Sequence, residues 1–427
     1  MAGPPVNRLA QFLHYAQKVF DLKTQLRGVR DHRPQAKIPT LPVLLTLVLG
    51  VVLRVGSYLD LAEQTERRRW RHLCGLKARL SDDTLEYVTQ RMVLEDLRQA
   101  LASSAKTLKH NKALESCKIN GLLFLSLDAN EHFKSRSRCC ADCCQRQVEE
   151  TDAQGHKHPV TEYYHRYVFA QINGPKINVL LDLEPIRPGE DECAAALRLL
   201  GRLRRVYGPR FVDAITVDAW YVQGPFLRAV EKLGWWWVVV LKRQDMDVYQ
   251  EAQQLSQGHK PSVAFEDRER QRQVQLWEVK DLDFSEGYGA AVRVVRSEER
   301  WVETRVRGGD KHRQPRASQW VWAASAELDG YDAGVIYRAG HRRWGIENKA
   351  FNELTQAYHL EHCYHHEATS MLAQMLILLL GFGLFTAFAQ LHSKLVGLGK
   401  LSTKALAHGL DLALEEDLPW ELWFASG

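Results

Sequence analysis

The sequence has almost no net charge. Its 57 lysine and arginine residues are nearly balanced by 52 aspartate and glutamate residues, so the formal charge is only +5 over 427 residues. A chain of this kind does not hold nucleic acid through bulk positive charge alone, although local basic clusters can still attract phosphates. At this length we also expect more than one structural unit, because a single hydrophobic core rarely organises so many residues.

The sequence also lacks a secretion signal at its start. Met1-Ala-Gly-Pro-Pro has neither a charged beginning nor an apolar core, and both are typical of signal peptides. We therefore expect a cytoplasmic protein whose eight cysteines do not form structural disulfides, since a reducing compartment disfavours them.

Long uncharged apolar runs are scarce, and residues 371–391 are the main exception. The run is close to the roughly 20 residues that a bilayer requires. It contains two glutamines and two glycines and follows a group of four histidines, His359, His362, His365 and His366. We expect it to be a buried helix, as we do for the shorter apolar run at 41–59, and we expect no membrane association.

Three acidic residues stand at positions typical of a metal site. Asp128 follows the apolar run 121–127 and Asp218 follows the run 214–217, so both are predicted to lie at the ends of buried strands. Glu347 lies near the start of a helix-like stretch, just after basic residues. Hard divalent cations relieve the repulsion between converging carboxylates, and Mg²⁺ prefers oxygen ligands. A single strand-end aspartate is more often a turn or capping residue, so the prediction rests on the set of three.

Segments around these acids resemble the IS4-type DDE transposases of bacterial insertion sequences. The matching segments are 126–130, 160–165, 188–192, 216–221 and 343–347. The last resembles the family signature of Tyr, two residues, Arg, three residues, Glu, six residues and Lys. Arg343 and Glu347 occupy the Arg and Glu places, whereas Gly340 and Leu354 stand where the family has Tyr and Lys.

The resemblance implies a Mg²⁺- or Mn²⁺-dependent DNA transposase that uses two-metal-ion catalysis. Asp128, Asp218 and Glu347 are the implied catalytic and metal-binding residues, and Arg343 is implied to hold a phosphate. The implied partners are double-stranded DNA with terminal inverted repeats and a second copy of the chain in a synaptic complex, in the nucleoid of a bacterium. Two alternatives stay open: a structure-specific nuclease or resolvase with the same core, and a non-catalytic DNA-binding relic, which the two missing signature residues suggest.

The predicted fold class is α/β: an RNase H-like catalytic core with a helical N-terminal region and a β-rich insertion subdomain. Alternating apolar strands and amphipathic helices favour this class. The expected segments are a helical DNA-end-binding region at 1–117, the first part of the core at 118–244, the insertion at 245–335, and the last part of the core with C-terminal helices at 336–427. One helix is predicted from 81 to about 109. In the insertion we predict short strands at 274–279, 290–295, 301–306 and 320–323.

Basic residues of the N-terminal region are candidates for DNA contacts. Arg67, Arg68, Arg69 and Arg71 are dense enough to contact several successive phosphates. For any one of them, an exposed helix face is an equally good interpretation. Lys349, two residues after Glu347, is a further candidate.

A cysteine-rich segment predicts a possible structural zinc site. Cys140 and Cys143 have the spacing of half a zinc site, and His156 and His158 follow as the other possible ligands. Cys139 and Cys144 offer competing registers, and the two histidines are closer together in sequence than those of a usual zinc finger. Free thiols in a loop are the alternative. His165 is expected to be a structural residue of a strand.

Overall fold

The structure is a computed structural model, and it describes residues 7–152, 154–284, 287–307, 310–393 and 397–416. The chain folds as two compact units. The first unit comprises Met1–Ser116, Ala129–Ala195 and Glu347–Gly427, and the second comprises Cys117–Asp128 and Ala196–Ile346. The expected helical N-terminal region therefore lies in the first unit, and each part of the expected core contributes residues to both units.

The first unit begins with seven helices: α1 Arg8–Phe20, α2 Leu22–Arg27, α3 Thr40–Val52, α4 Tyr58–Gln64, α5 Arg68–Cys74, α6 Asp82–Thr89 and α7 Leu94–His110. The Ser81 side chain accepts a hydrogen bond from the Thr84 N–H and caps α6 as predicted. The single helix expected from 81 to about 109 is instead two helices. Residues between α6 and α7 leave the helical path because the backbone at Arg91 and Val93 pairs with that at Arg30 and His32.

Four strands and a helix follow: β1 Phe124–Ser135, β2 Cys144–Thr151, β3 Lys157–Ile172, β4 Val179–Ile186 and α8 Glu192–Tyr207. The boundaries between the units fall within β1 and α8. In the first unit, β3 pairs antiparallel with β2 and with β4. Strand β2 was not predicted, because its polar sequence has no apolar alternation to mark it.

The rest of the second unit contains β5 Ala214–Val217, α9 Gly224–Lys232, β6 Trp236–Val240, α10 Asp247–Ser256, β7 Val263–Asp267, β8 Arg272–Asp283, β9 Ala291–Arg307, β10 Asp310–Ser325 and α11 Ala333–Arg343. Neighbouring strands run in the order β1-β5-β6-β10-β9-β8-β7. The first three are parallel, and β10 joins them antiparallel to β6. The β-rich insertion is thus a continuation of this sheet.

Three strands of the insertion, β8, β9 and β10, are longer than the predicted segments, and β7 was not predicted. The segments expected as separate strands at 290–295 and 301–306 both belong to β9. The charged residues between these two segments are typical of a loop. In the structure, however, Ser297 and Glu299 of this stretch are fully buried. The partners of Glu299 come from distant parts of the unit, so the sequence alone could not indicate its burial.

The last segment of the first unit contains α12 Asn352–Tyr358, α13 Ala368–Ala387 and α14 Thr403–Leu412, with a π-helical turn at Ile346–Phe351. Among the described helices, only Ala368–His392 is long and apolar enough to cross a membrane, and 89% of its most apolar window is buried inside the protein. Gly381 allows α13 to approach α3 closely, since a Cβ there would lie 2.6 Å from the Val51 side chain. The run at 371–391 is therefore a core helix of this unit, as expected.

Candidate active site and metal centre

Asp128 and Asp218 belong to two neighbouring parallel strands, Asp128 within β1 and Asp218 directly after β5. The register of β1 and β5 pairs Phe124 with Ala214 and Ser126 with Thr216, and each aspartate follows two residues after the last of these pairs. Asp218 directly follows β5, as predicted, whereas Asp128 lies inside β1, which continues to Ser135, so the predicted strand end at Asp128 is wrong. The Ser126 and Thr216 hydroxyls are 2.9 Å apart. Since side chains two residues apart in an extended chain share a face, the two aspartates lie on that same face.

Each aspartate is oriented by a specific partner. The Trp220 N–H donates to Asp218 Oδ1 at 2.9 Å, which begins a short 3₁₀ turn, and Asp218 Oδ2 lies 4.0 Å from Lys242 Nζ. Arg343 Nη1 donates to Asp128 Oδ2 at 3.2 Å. The Arg343 side chain is only 3% exposed, so in this structure its guanidinium faces a carboxylate, whereas the sequence predicts a phosphate contact.

Arg343 is the last residue of α11, and the insertion holds this helix in place. His341, two residues earlier, donates from Nε2 to Glu299 Oε1 at 2.7 Å. Glu299 Oε2 also forms ion pairs with Arg270 Nη1 and Arg272 Nη1, at nitrogen–oxygen distances of 2.9 and 2.5 Å. Burial alone would raise the pKa of Glu299, but its hydrogen bond from His341 and the arginine charges outweigh burial and lower the pKa to about 2.

The structure shows that no side chain fits at Gly340, where the family signature has tyrosine. A Cβ at Gly340 would lie 2.1 Å from Trp322 Nε1, so the indole of β10 occupies the space of any side chain there. Tyr337, one turn away, is fully buried and its hydroxyl donates to Asp267 at 2.9 Å. Leu354, at the lysine place, is a core residue of the first unit with no exposed surface.

Glu347 and Lys349 are both exposed in the π-helical turn of the first unit. The division of the chain thus assigns Asp128, Asp218 and Arg343 to the second unit and Glu347 to the first. The place of Glu347 in the acidic set remains a prediction from the sequence.

An open cleft of about 260 Å³ borders Asp218, lined by Ala219, Trp220, Val222, Gln223, Lys242, Arg243 and Met246. Trp220 is 61% exposed, which is unusual for so large an aromatic side chain. Sequence reasoning missed this feature. The signal for it was a tryptophan two residues after a strand-end acid, at a point where the chain must leave the sheet.

The first unit contains a compact group of four side chains: Cys140, Cys143, His165 and His366. Their ligand atoms all lie within 4.8 Å of one another. They come from the segment after β1, from β3 and from the segment before α13. Sequence reasoning identified the two cysteines and named His165 and His366 without connecting them to the cysteines, because these four residues span more than 220 positions of the chain.

The structure does not bring His156 and His158 to the cysteines. Both are exposed at the far end of the β2–β3 hairpin, where His158 pairs with Glu150 and Cys144 pairs with Tyr164. Six residues of extended strand separate these two levels, or roughly 20 Å. The histidine half of the predicted zinc set is therefore corrected to His165 and His366.

The structure also decides between the alternative cysteine ligands. Cys144 Sγ points to the Ile186 carbonyl at 3.7 Å, and Cys139 is exposed. Burial lowers the pKa of His165 to about 4, with a smaller effect from His366, and burial raises the pKa of the Cys143 thiol to about 12. His165 is therefore neutral at pH 7, which is the form of imidazole that binds metals.

Most of the N-terminal arginine cluster is engaged within the first unit. Arg67 Nη1 lies 3.4 Å from Glu415, Arg69 Nη1 donates to the Leu414 carbonyl at 3.4 Å, and Arg71 Nη1 donates to the Thr65 carbonyl at 2.9 Å. Arg68, by contrast, is exposed on the first turn of α5.

Part of the chain matches a known protein-family model. Residues 178–381 match the family model described as "Transposase DDE domain". No curated protein matches the chain. A solved structure, titled as the cryo-EM structure of piggyBac transposase synaptic complex with hairpin DNA, is similar over 99% of this chain and 81% of that one, with 12% identity and a TM-score of 0.43. The matched transposase segment includes Asp218, Arg343 and Glu347 and leaves out Asp128.

Proposed function

We propose that the chain is a DNA transposase that cuts and joins phosphodiester bonds at the ends of an IS4-type insertion sequence. The observation that supports this best is that β1 and β5 are adjacent parallel strands and that each carries an aspartate two residues beyond the paired residues Ser126 and Thr216, Asp128 inside β1 and Asp218 directly after β5. The match of residues 178–381 to a transposase DDE domain includes Asp218 and Glu347, and Asp128 is added to them from the sequence resemblance. The proposal includes an RNase H-like core as the scaffold of these strands.

The donor set fits Mg²⁺ or Mn²⁺. Carboxylate oxygens are the ligands that these ions prefer, and two aspartates on one face of adjacent strands offer them together. Glu347 is assigned as the third ligand from the sequence resemblance. When bound, such ions activate a water or a 3′-hydroxyl and stabilise the leaving oxygen of the phosphodiester.

The protein's own contribution is to fix the two carboxylates. Arg343 holds Asp128 through one oxygen, and the Trp220 N–H holds Asp218 through one oxygen. Each carboxylate therefore has a set orientation before substrate arrives. Preorganisation of this kind reduces the reorganisation that a polar site must undergo during reaction.

The cleft beside Asp218 is proposed to hold the DNA strand that is cut. The exposed Trp220 offers a flat face to a base, and such stacking contributes about 1–3 kcal/mol per base. Lys242 and Arg243 on the same cleft are suited to phosphates. Double-stranded DNA with terminal inverted repeats, and a second copy of the chain, are the proposed partners.

A cleavage assay on DNA that carries the element ends tests the proposal. Asp128→Asn, Asp218→Asn and Glu347→Gln should each reduce Mg²⁺-dependent cleavage on the order of 10²–10³-fold or more, because each removes a negative ligand from the metal site. End binding should persist in all three. Asp283→Asn, which changes an exposed acid at the end of β8 in the second unit, is the matched control and should cleave normally.

The same assay separates the alternatives. Cleavage without joined products would identify a structure-specific nuclease or resolvase. Binding without any cleavage in the wild-type chain would identify a non-catalytic relic. Near-normal cleavage by one of the three variants would remove that residue from the site.

A further inference from the structure

The Cys/His cluster of the first unit has the dimensions of a tetrahedral metal site. Cys140 Sγ and Cys143 Sγ are 3.7 Å apart, and His165 Nε2 and His366 Nε2 are 3.3 Å apart. Three of the four sulfur–nitrogen separations are 3.3–3.4 Å. A zinc tetrahedron with Zn–S of about 2.3 Å and Zn–N of about 2.0–2.1 Å has S···S near 3.8 Å, N···N near 3.3 Å and S···N near 3.6 Å.

Hydrogen bonding alone does not account for this arrangement. The two histidine nitrogens lie 3.3 Å apart, and a hydrogen bond between them would use one proton and leave the two sulfur atoms out. Four lone-pair donors also converge on one centre, and shared protons would connect them only in pairs. A cation at the centre would engage all four at once.

We propose that Cys140, Cys143, His165 and His366 bind a structural Zn²⁺ ion. Two thiolates balance the charge of one Zn²⁺, so the site is neutral, which suits its half-buried position. All four positions are filled by protein atoms, and a closed site of this type is structural. The Cys140 N–H donates to Cys143 Sγ at 3.3 Å, which helps to hold that sulfur in place.

Neighbouring groups orient the ligands. The Phe133 ring packs against His366, with centroids 4.5 Å apart, and also against His165 at 6.4 Å. Phe133 has a φ of 51°, a left-handed conformation that is costly for an aromatic residue and that persists when its surroundings require it. The strained residue of β1 is thus the one that supports both histidine ligands.

The site would pin the segment between α12 and α13 to the strands of the first unit. Three contacts already hold this segment: His132 donates from Nδ1 to the Leu360 carbonyl, Tyr364 donates to the Val55 carbonyl, and His365 lies 3.1 Å from Glu86. The zinc ligand His366 adds a link to the cysteine segment, which has few apolar residues of its own. This segment joins α12, the helix that follows Glu347, to α13. Zinc is therefore expected to order the part of the chain that contains Glu347.

Metal analysis of the full chain tests the proposal without any activity assay, so its outcome is independent of the proposed transposase function. Protein purified without chelator under reducing conditions should contain about one zinc per chain. His366→Ala should lose the zinc, whereas His366→Cys should retain it, since three cysteines and one histidine also form a structural zinc site. Cys144→Ser and His158→Ala are controls that should keep the metal.

Cobalt substitution provides a second readout on folded protein. After removal of the native metal, Co²⁺ should produce the thiolate charge-transfer and tetrahedral d–d bands of a two-sulfur site, and Zn²⁺ should abolish them. Cys140→Ser and Cys143→Ser should lose the bands, and Cys139→Ser should keep them. Purified protein without zinc, iron in place of zinc, a Cys140–Cys143 disulfide, or zinc retained by His366→Ala and lost by His158→Ala would each overturn the proposal.

Discussion

The acidic pair of the second unit and the Cys/His cluster of the first unit are assembled in different ways. Asp128 and Asp218 need only one strand pair and its register. The four cluster residues need three separate segments to meet, with His366 lying more than 200 residues after His165. A ligand set held by a strand ladder keeps its geometry without metal, whereas a set drawn from loops gains part of its order from the ion. The two proposed sites should therefore respond oppositely to metal removal.

Metal removal should give the largest effect and the clearest contrast. Omission of Mg²⁺ should abolish cleavage and lower the thermal midpoint of unfolding only slightly, because Arg343 and the Trp220 N–H hold Asp128 and Asp218 without the ion. Zinc chelation should lower that midpoint, since the bound ion stabilises only the folded state. Calorimetry and cleavage measured on the same samples would check this. Equal loss of stability in both treatments would contradict the contrast between the sites.

Glu299→Gln should give the next largest effect, on the support of Arg343. The substitution leaves Arg270 and Arg272 without their buried counter-charge, so we expect a loss of unfolding free energy of about 3 kcal/mol. Glu298→Gln, on the opposite face of β9 and partly exposed, is the matched control and should cost much less. Denaturant titration would measure both. If the two variants are equally stable, Glu299 does not hold α11.

The same residue predicts a dependence of stability on pH. The pKa of Glu299 is lowered in the folded state to about 2, from about 4.3 in an unfolded chain. Its contribution is therefore fully present above the unfolded value and is lost as pH falls through the folded value. Between pH of about 4 and 2, wild-type protein should lose stability more steeply than Glu299→Gln. If stability depends on pH in the same way for both proteins, the lowered pKa of Glu299 is contradicted.

A smaller effect should separate stacking from charge in the proposed DNA cleft. Trp220→Ala should weaken binding of end DNA by about 1–3 kcal/mol without changing its salt dependence, because stacking releases no counterions. Lys242→Ala or Arg243→Ala should instead reduce the slope of log affinity against log salt by about 0.9 for each phosphate that the side chain neutralises. Binding isotherms at several salt concentrations would distinguish them. A changed slope for Trp220→Ala would remove the stacking role.

The smallest expected effect concerns the N-terminal arginines. Arg68 is exposed, whereas Arg67 lies close to Glu415 and Arg71 donates a hydrogen bond to the Thr65 carbonyl. If this surface binds DNA, Arg68→Ala should reduce the salt slope by about one phosphate equivalent. Arg71→Ala should affect stability more than the slope. An unchanged slope after Arg68→Ala would move the DNA-binding assignment away from α5.

The sequence by itself determined the elements that obey local rules. The short apolar runs before Asp128 and Asp218 mark the buried parts of β1 and β5, although β1 continues past Asp128 to Ser135. The core helix α13 was equally predictable, because its composition leaves no polar face. The pair Cys140 and Cys143 was visible from spacing, since both residues lie in one turn of chain.

Only the tertiary structure decided which residues complete these local features. His165 and His366 replace His156 and His158 because strand pairing carries the hairpin tip roughly 20 Å from the cysteines. Trp322 from β10 fills the space that a tyrosine at position 340 would need. Glu299 is buried in a charged stretch because three cationic side chains from elsewhere in the unit reach it. Such contacts join residues far apart in sequence, where no local periodicity or spacing can signal them.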